Sequence, residues 1–114
     1  MNQILYAELQ RLARLQQVAA YSDISPLVGL SMDNDQDRDE IARLLGEIAV
    51  YEHQSGRPML TSLIVHKGDD NNPGKGFFSI AQELGLFNGS RGQILRLTFW
   101  INQVTEVHNY WSSR

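Results

Sequence analysis

A chain of 114 residues is long enough for one hydrophobic core and too short for two, so we expect a single domain spanning residues 1–114. Hydrophobic residues make up 42% of the chain and charged residues 20%, which excludes the compositions of disordered chains and coiled coils. The net charge of −3, from 13 acidic and 10 basic side chains, does not favour sequence-independent binding to nucleic acid.

The residue types that are missing exclude several kinds of site. Without cysteine the chain has no disulfide framework, no thiolate nucleophile and no cysteine-ligated zinc. The N-terminus lacks a basic segment followed by an apolar run, and no stretch approaches the roughly 18 apolar residues that cross a bilayer. We therefore expect a soluble, cytoplasmic protein that does not associate with membranes.

Apolar residues at helical spacing predict three helices in the first half of the chain. The first covers residues 2–19, the second is a short helix over residues 21–29, and the third covers residues 37–53. Gly29 and Gly56 are suited to end the second and third helices, because glycine readily adopts the left-handed conformation of a helix end. A helix, a tight turn and a short helix are also how a helix-turn-helix motif begins.

Acidic residues precede the third predicted helix in a pattern that resembles a calcium-binding loop. Four aspartates alternate between positions 33 and 39, but the sharp-turn position carries Arg38 instead of glycine. The place of the bidentate glutamate carries Leu44, so the strongest ligand is missing. We interpret these carboxylates as helix-capping groups that favour the positive end of the helix dipole, and we predict neither a metal site nor a cofactor.

The one strong strand prediction covers residues 59–65, where β-branched and apolar side chains follow Arg57 and Pro58. A single strand cannot satisfy its own backbone groups, so helices must cover it and another backbone segment must pair with it. The polar, glycine-rich residues 68–76 are predicted to form a solvent-exposed turn or wing. These expectations place the strand at the centre of the fold.

Two more helices are predicted after this loop. A short one covers residues 77–84 and ends at Gly85, and a long one covers residues 89–111. An apolar stripe runs along the long helix: Ile94, Leu97, Ile101, Val104, His108 and Trp111. We expect a stripe of that width to cover the core and to extend into a subunit interface. The predicted fold class is α+β, mostly α, with one main short strand or small sheet and a long C-terminal helix.

The segment Pro73-Gly74-Lys75-Gly76 has the composition of a phosphate-binding loop. Its glycines permit close backbone approach, and Lys75 supplies positive charge at the start of a helix. The spacing G-x-x-x-x-G-K-[ST] is absent, and the strand that should lead into the loop lies too early in the chain. A structural turn is therefore favoured, and an anion site at Gly74 and Gly76 is the alternative.

Polar residues gather at the two ends of the predicted strand. Glu52, Arg57 and His66 could form a small-ligand or hydrolytic site, with Lys75 as a further member, because a histidine near a carboxylate can act as a general base. No HExxH or G-x-S-x-G motif accompanies them. The simpler interpretation is a buried ion pair between Glu52 and Arg57 that holds the helix end to the strand.

The order of motifs resembles a known family of DNA-binding domains. The sequence resembles the winged-helix domain of alkyltransferase-like DNA-repair proteins in the order of four segments. These are Tyr21-Ser22-Asp23-Ile24, Gly29, the helix over residues 38–47, and Arg57-Pro58 with the hydrophobic strand. Those proteins have a TYGDIA-type segment, a following helix and a PxHRVV-type segment. Residues 21–78, with GRPML and PGKGFF, are also similar to bacterial domains of this pattern.

This resemblance implies a winged-helix-like topology and marks Tyr21, Asp23 and Arg38 as candidate functional positions. The alkyl-accepting cysteine is absent, and Met59-Leu60-Thr61 stands where the reactive cysteine-histidine segment would be. The helix that would enter the DNA groove is acidic. The resemblance therefore carries an expectation about fold and does not carry repair activity.

Three functional classes are compatible with the sequence. The favoured class is a non-enzymatic interaction module that binds itself, as a homodimer, or another protein, through the long C-terminal helix or the strand edge. One alternative is a DNA-binding or DNA-damage-sensing domain, which the resemblance supports and the net charge does not favour. The other alternative is a small-ligand or hydrolytic domain that uses Glu52, Arg57 and His66, with Lys75.

Overall fold

The computed structural model of this chain describes residues 1–68 and 71–114. Within these ranges it contains five α-helices, two short 3₁₀ helices and a two-stranded parallel sheet, and no helix there is long and apolar enough to cross a bilayer. The α-helices are α1 (Gln3–Arg14), α2 (Tyr21–Ile24), α3 (Asp35–Gln54), α4 (Lys75–Glu83) and α5 (Gln93–Trp111), the 3₁₀ helices are Ser25–Val28 and Leu60–Leu63, and the strands are β1 (Ala19–Ala20) and β2 (Ile64–Val65). The predicted class, α+β and mostly α with a small sheet and a long C-terminal helix, is confirmed.

The first helix is shorter than its predicted span of residues 2–19. It begins where the side chain of Asn2 accepts a hydrogen bond from the backbone N–H of Leu5, at 2.9 Å. It ends at Arg14, and the chain then turns because Gln16 adopts a left-handed backbone conformation with φ of 56°. The residues that follow form β1, which is the pairing partner that the central segment of the chain requires.

Glycines end the next helical elements as predicted. Gly29 follows the first 3₁₀ helix with φ of 74°, and Gly56 follows α3 with φ of 75°. At the other end of α3, the side chain of Asn34 accepts a hydrogen bond from the backbone N–H of Asp37, at 3.1 Å. The aspartates of this first turn lie at the positive end of the helix dipole, which is the role expected from the sequence.

The predicted strand over residues 59–65 is wrong for most of its length. Only β2 is extended and paired, in parallel with β1, and residues Leu60–Leu63 form the second 3₁₀ helix. The segment is nevertheless central, because this 3₁₀ helix is buried and contacts α1, α3 and α5. Helices cover the segment as expected, but outside β2 its backbone does not pair with a strand.

The 3₁₀ conformation is stable here because side chains of α5 supply the hydrogen bonds that a neighbouring strand would otherwise provide. The Oε1 atom of Gln103 accepts a hydrogen bond from the backbone N–H of Met59, at 3.1 Å. The indole Nε1–H of Trp100 donates to the carbonyl oxygen of Ser62, at 2.9 Å. Buried backbone groups need partners, and in this segment the C-terminal helix provides several of them.

The predicted wing begins directly after β2. The backbone N–H of His66 donates to the carbonyl oxygen of Asn72 at 2.8 Å, which forms an isolated antiparallel bridge. Residues 69 and 70 of the predicted wing lie outside the described residues. The rest of the segment is not uniformly exposed, because Pro73 is fully buried and α4 already begins at Lys75.

Two hydrophobic clusters form the core. The larger cluster joins α1, α3, the second 3₁₀ helix and the C-terminal end of α5, with Leu9, Ile48 and Leu60 at its centre. The smaller cluster lies beside α4 and is mostly aromatic: Ala49, Met59, Phe77, Phe78 and Ala81, with Phe87, Phe99 and Trp100 packed against them. Residues Leu60–Leu63 and the start of α4 therefore connect the core to the polar residues around His66 and Gly74.

Candidate functional site

Glu52 and Arg57 form a buried ion pair at the end of α3. Arg57 donates from Nε to Oε2 of Glu52 at 2.8 Å and from Nη2 to Oε1 at 3.0 Å. Glu52 is completely buried, and the hydroxyl of Tyr6 donates a third hydrogen bond to its Oε1 at 2.5 Å. The guanidinium also lies over the rings of Tyr51 and Trp111, at 5.4 and 6.0 Å from their centroids. The pair thus joins α1, α3 and α5.

The electrostatics of this group favour a structural role. Burial, together with the hydrogen bond to Glu52, raises the pKa of Tyr6 to about 12. The hydrogen bond to Glu52 raises the pKa of Arg57 above its ordinary value. Both donors therefore keep their protons at neutral pH, which suits them to holding helices together and not to proton transfer.

Tyr21 and His66 form a stacked pair against the loop that leads into α4. Their ring centroids lie 4.3 Å apart with an interplanar angle of 26°, and the Tyr21 hydroxyl donates to the carbonyl oxygen of Pro73 at 2.6 Å. A Cβ atom on Gly74 would lie only 2.6 Å from Nε2 of His66. The backbone of this loop therefore approaches the histidine so closely that only glycine fits.

The residues predicted as one polar cluster occupy separate places. Arg57 lines a shallow cavity beside α5 together with Gln103 and Glu106, whereas His66 lines a groove on the other side of α3. Lys75 is exposed at the first position of α4. Across residues 1–68 and 71–114, no three Asp, Glu or His side chains are arranged to hold a metal ion.

Two of the positions marked by the winged-helix resemblance make local contacts. Asp23 accepts a hydrogen bond from the backbone N–H of Ala20 at 3.1 Å and lies 3.4 Å from the Nζ atom of Lys67, and these contacts lower its pKa. Arg38 donates to the carbonyl oxygen of Met32 at 2.7 Å and forms an ion pair with Asp35. Both side chains contribute to fixing the backbone around them.

The groove beside His66 is a cavity of about 460 Å³ between α3 and α4. Its walls are mainly apolar, and small side chains on α3 open it where that helix passes α4. The α3 wall consists of Arg38, Asp39, Ile41, Ala42, Arg43, Leu45, Gly46 and Ala49. The opposite wall consists of Gly76, Phe77, Ser79 and Ile80 on α4, with Met32 and Thr61. Tyr21 and His66 complete the lining at the loop end.

Polar groups are concentrated at the end of the groove where α4 begins. The N-cap of α4 is Gly74, and among the described residues no side chain accepts a hydrogen bond from the first turn of this helix. Thr61 is only 7% exposed, and its hydroxyl makes no hydrogen bond to any residue of the described ranges. His66 lies close to Gly74, and its ring nitrogens make no hydrogen bond to any described residue.

A second surface with binding character is the N-terminal half of α5. Ile94 is 79% exposed, and Leu95, Leu97 and Ile101 are each about half-exposed. The predicted apolar stripe therefore covers the core only in its C-terminal half, where Trp111 is buried and Val104 is partly buried against the core. Its N-terminal half is an apolar face without a partner among the described residues, and it is referred to below as the α5 face: Ile94, Leu95, Leu97 and Ile101.

Sequence reasoning missed several residues of the groove. Thr61 lies inside the predicted strand and was assigned no role, although it supplies a free hydroxyl to the cavity. On α3, Ala42, Gly46 and Ala49 share one helix face, since they are spaced by four and three residues. A run of small side chains on one helix face was the available signal for a groove.

Comparisons with protein-family models, with curated proteins and with solved structures give no match for this chain. The winged-helix resemblance therefore stays a prediction, and any functional argument depends on the two surfaces described above.

Proposed function

We propose that this protein is a non-enzymatic interaction module that pairs with a second copy of itself through the α5 face. The observation that carries the proposal is the exposure of Ile94, at 79%, at the N-terminal end of an apolar helix face. Single exposed apolar residues are common on proteins, but Ile94, Leu97 and Ile101 share one side of a regular helix and form a contiguous patch, with Leu95 further around the helix. Such patches are typical of interaction sites.

The charge distribution of α5 supports this assignment. From Gln93 to Thr105 the only charged side chain is Arg96, and it is half-buried. Its guanidinium lies 5.0 Å from the centroid of the Phe78 ring, and its Nε donates to the carbonyl oxygen of Ser90 at 3.0 Å. The centre of a protein interface is depleted in charged residues, and the α5 face has this composition.

A second copy of the chain is the partner that best fits this face. Ile94, Leu97 and Ile101 recur at i, i+3 and i+7, so they form a ridge about two turns long on one side of the helix. Across a two-fold axis, an antiparallel copy of α5 presents the same uncharged ridge to it. The interface then needs no complementary charge, and none is available on either side.

The proposal is tested by sedimentation velocity on the whole chain up to a concentration of about 100 µM. We expect the wild-type protein to form dimers and the double variant Ile94→Glu/Ile101→Glu to be monomeric, because two carboxylates would face two others at the interface. The matched control is Ile4→Glu, which places the same charge at a 62% exposed apolar position on α1. This control should remain dimeric, and a wild-type protein that stays monomeric throughout the range would contradict the proposal.

The arrangement of arginines disfavours the DNA-binding alternative. Three of the four exposed arginines on α1 and α3 are held by carboxylates of their own helix: Arg11 by Glu8, Arg38 by Asp35 and Arg43 by both Glu40 and Glu47. The fourth, Arg14, lies over the ring of Trp111. Guanidinium groups paired in this way release few counterions from a DNA backbone. We expect no mobility shift of a DNA duplex even at about 50 mM salt, and a shift that weakens steeply as salt rises would favour the alternative.

A further inference from the structure

We infer that the groove between α3 and α4 binds a small monocarboxylate with an apolar tail. The tail lies along Ala42, Gly46 and Ala49, and the carboxylate lies at the first turn of α4 beside Thr61. A cavity of about 460 Å³ falls in the size range of small-molecule sites, which are mostly apolar with a few convergent polar groups. The site is independent of the proposed dimer, because no residue of α5 lines the groove.

The apolar end of the groove is shaped by small residues on α3. A Cβ atom on Gly46 would lie 3.6 Å from Cδ1 of Ile80 on α4, which is ordinary contact and shows how closely the two helices pass. Beside this crossing, Ala42 and Ala49 leave the space that larger side chains would fill. The walls at this end are Ile41, Leu45 and Phe77, so the surface offered to a ligand is hydrocarbon and aromatic.

The polar end of the groove offers hydrogen-bond donors to an anion. The first backbone N–H groups of a helix have no partner within the helix, and the N-cap Gly74 provides none. Gly76 and Phe77, in this first turn, line the groove, where the helix dipole also favours negative charge. α4 has nine residues, which is long enough for the dipole to be developed.

An unpartnered hydroxyl on a nearly enclosed side chain is the independent observation that points to a ligand. Thr61 is 7% exposed, lines the groove and donates to no residue of the described chain, and its hydroxyl oxygen is not sealed from solvent. Because the rest of this side chain is enclosed, the groove is the side from which an acceptor reaches the hydroxyl. His66 lies at the same end, and its ring can donate to that acceptor as well.

The charges around the groove favour a single negative charge on the ligand. Arg38 and Arg43 line it, but they are already paired, Arg38 with Asp35 and Arg43 with Glu40. Asp39 adds a carboxylate of its own. Without an unpaired arginine, the site lacks the cations that a phosphate dianion requires, whereas one carboxylate is matched by N–H and O–H donors.

The test is a titration of the ¹⁵N-labelled protein with sodium octanoate, followed by the chemical shifts of the backbone amides, and a parallel titration with octanamide. Octanamide has the same tail and a neutral head of nearly the same shape. We expect saturable shifts at Gly46, Gly76 and Phe77 with octanoate, and binding at least about tenfold weaker with octanamide. Equal affinity for the two compounds would overturn the carboxylate assignment, and octanoate shifts that are absent or confined to α5 would overturn the groove itself.

Variants separate the two ends of the site. Ala42→Phe, at an exposed position of α3, should fill the groove and abolish the octanoate shifts, whereas Gln54→Phe, at an exposed position of the same helix outside the groove, should leave them unchanged. Thr61→Val preserves the shape of the side chain without the hydroxyl and should weaken octanoate about tenfold while octanamide changes less. Octanoate binding that is unaffected by both Ala42→Phe and Thr61→Val would overturn the inference.

Discussion

Two arginines of this protein make bidentate ion pairs in opposite surroundings. Arg57 binds the completely buried Glu52, and Arg43 binds Glu40 on the exposed surface of α3. An exposed pair contributes little, because water screens both charges and long side chains lose entropy when they are held. Removal of one partner from a buried pair instead leaves a charge without compensation in the core.

We predict that Arg57→Met lowers the free energy of unfolding by about 3–5 kcal/mol, because the Glu52 carboxylate then remains buried with Tyr6 as its main donor. Arg43→Met, the matched control, should change it by less than about 1 kcal/mol. Urea unfolding followed by tryptophan fluorescence measures both values. Similar small losses for the two variants would show that the buried pair contributes no more than a surface pair.

Gly74 is required by both its backbone conformation and its neighbour. Its φ of 84° and ψ of 174° lie in a region that is essentially restricted to glycine, and an added Cβ would lie 2.6 Å from His66. Gly29 has a positive φ of 74° but nothing within 4 Å of an added Cβ. We therefore predict that Gly74→Ala costs about 3 kcal/mol and Gly29→Ala about 1 kcal/mol.

The steric part of this cost can be separated from the backbone part. In the double variant Gly74→Ala/His66→Ala the clash with the imidazole is gone, so the penalty of Gly74→Ala in that background should fall toward the value for Gly29→Ala. Thermal unfolding monitored by circular dichroism measures each step of this cycle. A penalty that is the same with and without the His66 ring would assign the whole effect to the backbone.

At the scale of elements, the interior of α3 contains Gly46, although the helical backbone at that position does not require glycine. Gly46 lies in a helical conformation, where glycine is about 1 kcal/mol less favourable than alanine, and an added Cβ meets only Cδ1 of Ile80 at 3.6 Å. We predict that Gly46→Ala raises the free energy of unfolding by about 0.5–1 kcal/mol. A loss of stability in urea unfolding would mean instead that α3 and α4 are too close for a methyl group.

The sequence predicts helices better than it predicts what lies between them. The bounds of α3 and α4 agree with their predicted spans to within two residues, because capping residues and glycines mark those ends. The end of α1 was not predictable in this way, since the left-handed residue that turns the chain is Gln16 and not glycine. Residues 59–65 are apolar except for Thr61 and Ser62, and a short apolar segment of this kind does not distinguish a strand from another buried conformation.

At the scale of the whole molecule, the groove could not be predicted because its residues come from distant parts of the chain. The sequence places Tyr21, His66 and Gly76 in three different candidate groups, and in the structure all three line one groove. The contact between Glu52 and Arg57 was easier to anticipate, because the two residues flank one helix end. Tyr21 and His66 lie about 45 positions apart in the sequence, so their contact depends on tertiary packing that local sequence patterns do not encode.

The free energy of unfolding of the whole molecule should decline in alkaline solution, because the pKa values of two tyrosines are raised in the folded protein. Burial raises the pKa of Tyr21 from 10.0 to about 12, and burial with the hydrogen bond to Glu52 raises that of Tyr6 to about 12. In the unfolded chain both hydroxyls ionise near pH 10. Between pH 10 and 12 the unfolded state therefore binds fewer protons than the native state, and the free energy of unfolding falls as pH rises.

We predict that this decline, absent below pH 10, is shallower in Tyr21→Phe, which removes one of the two groups whose pKa is raised. The variant also loses the hydrogen bond to Pro73, so its stability at neutral pH is lower, and the informative quantity is the slope with pH and not the absolute value. Urea unfolding at a series of pH values measures that slope. An identical slope in the variant would mean that Tyr21 ionises in the native protein as readily as in the unfolded chain, and that its ring is not held away from water by the stacked His66 and the loop at Pro73.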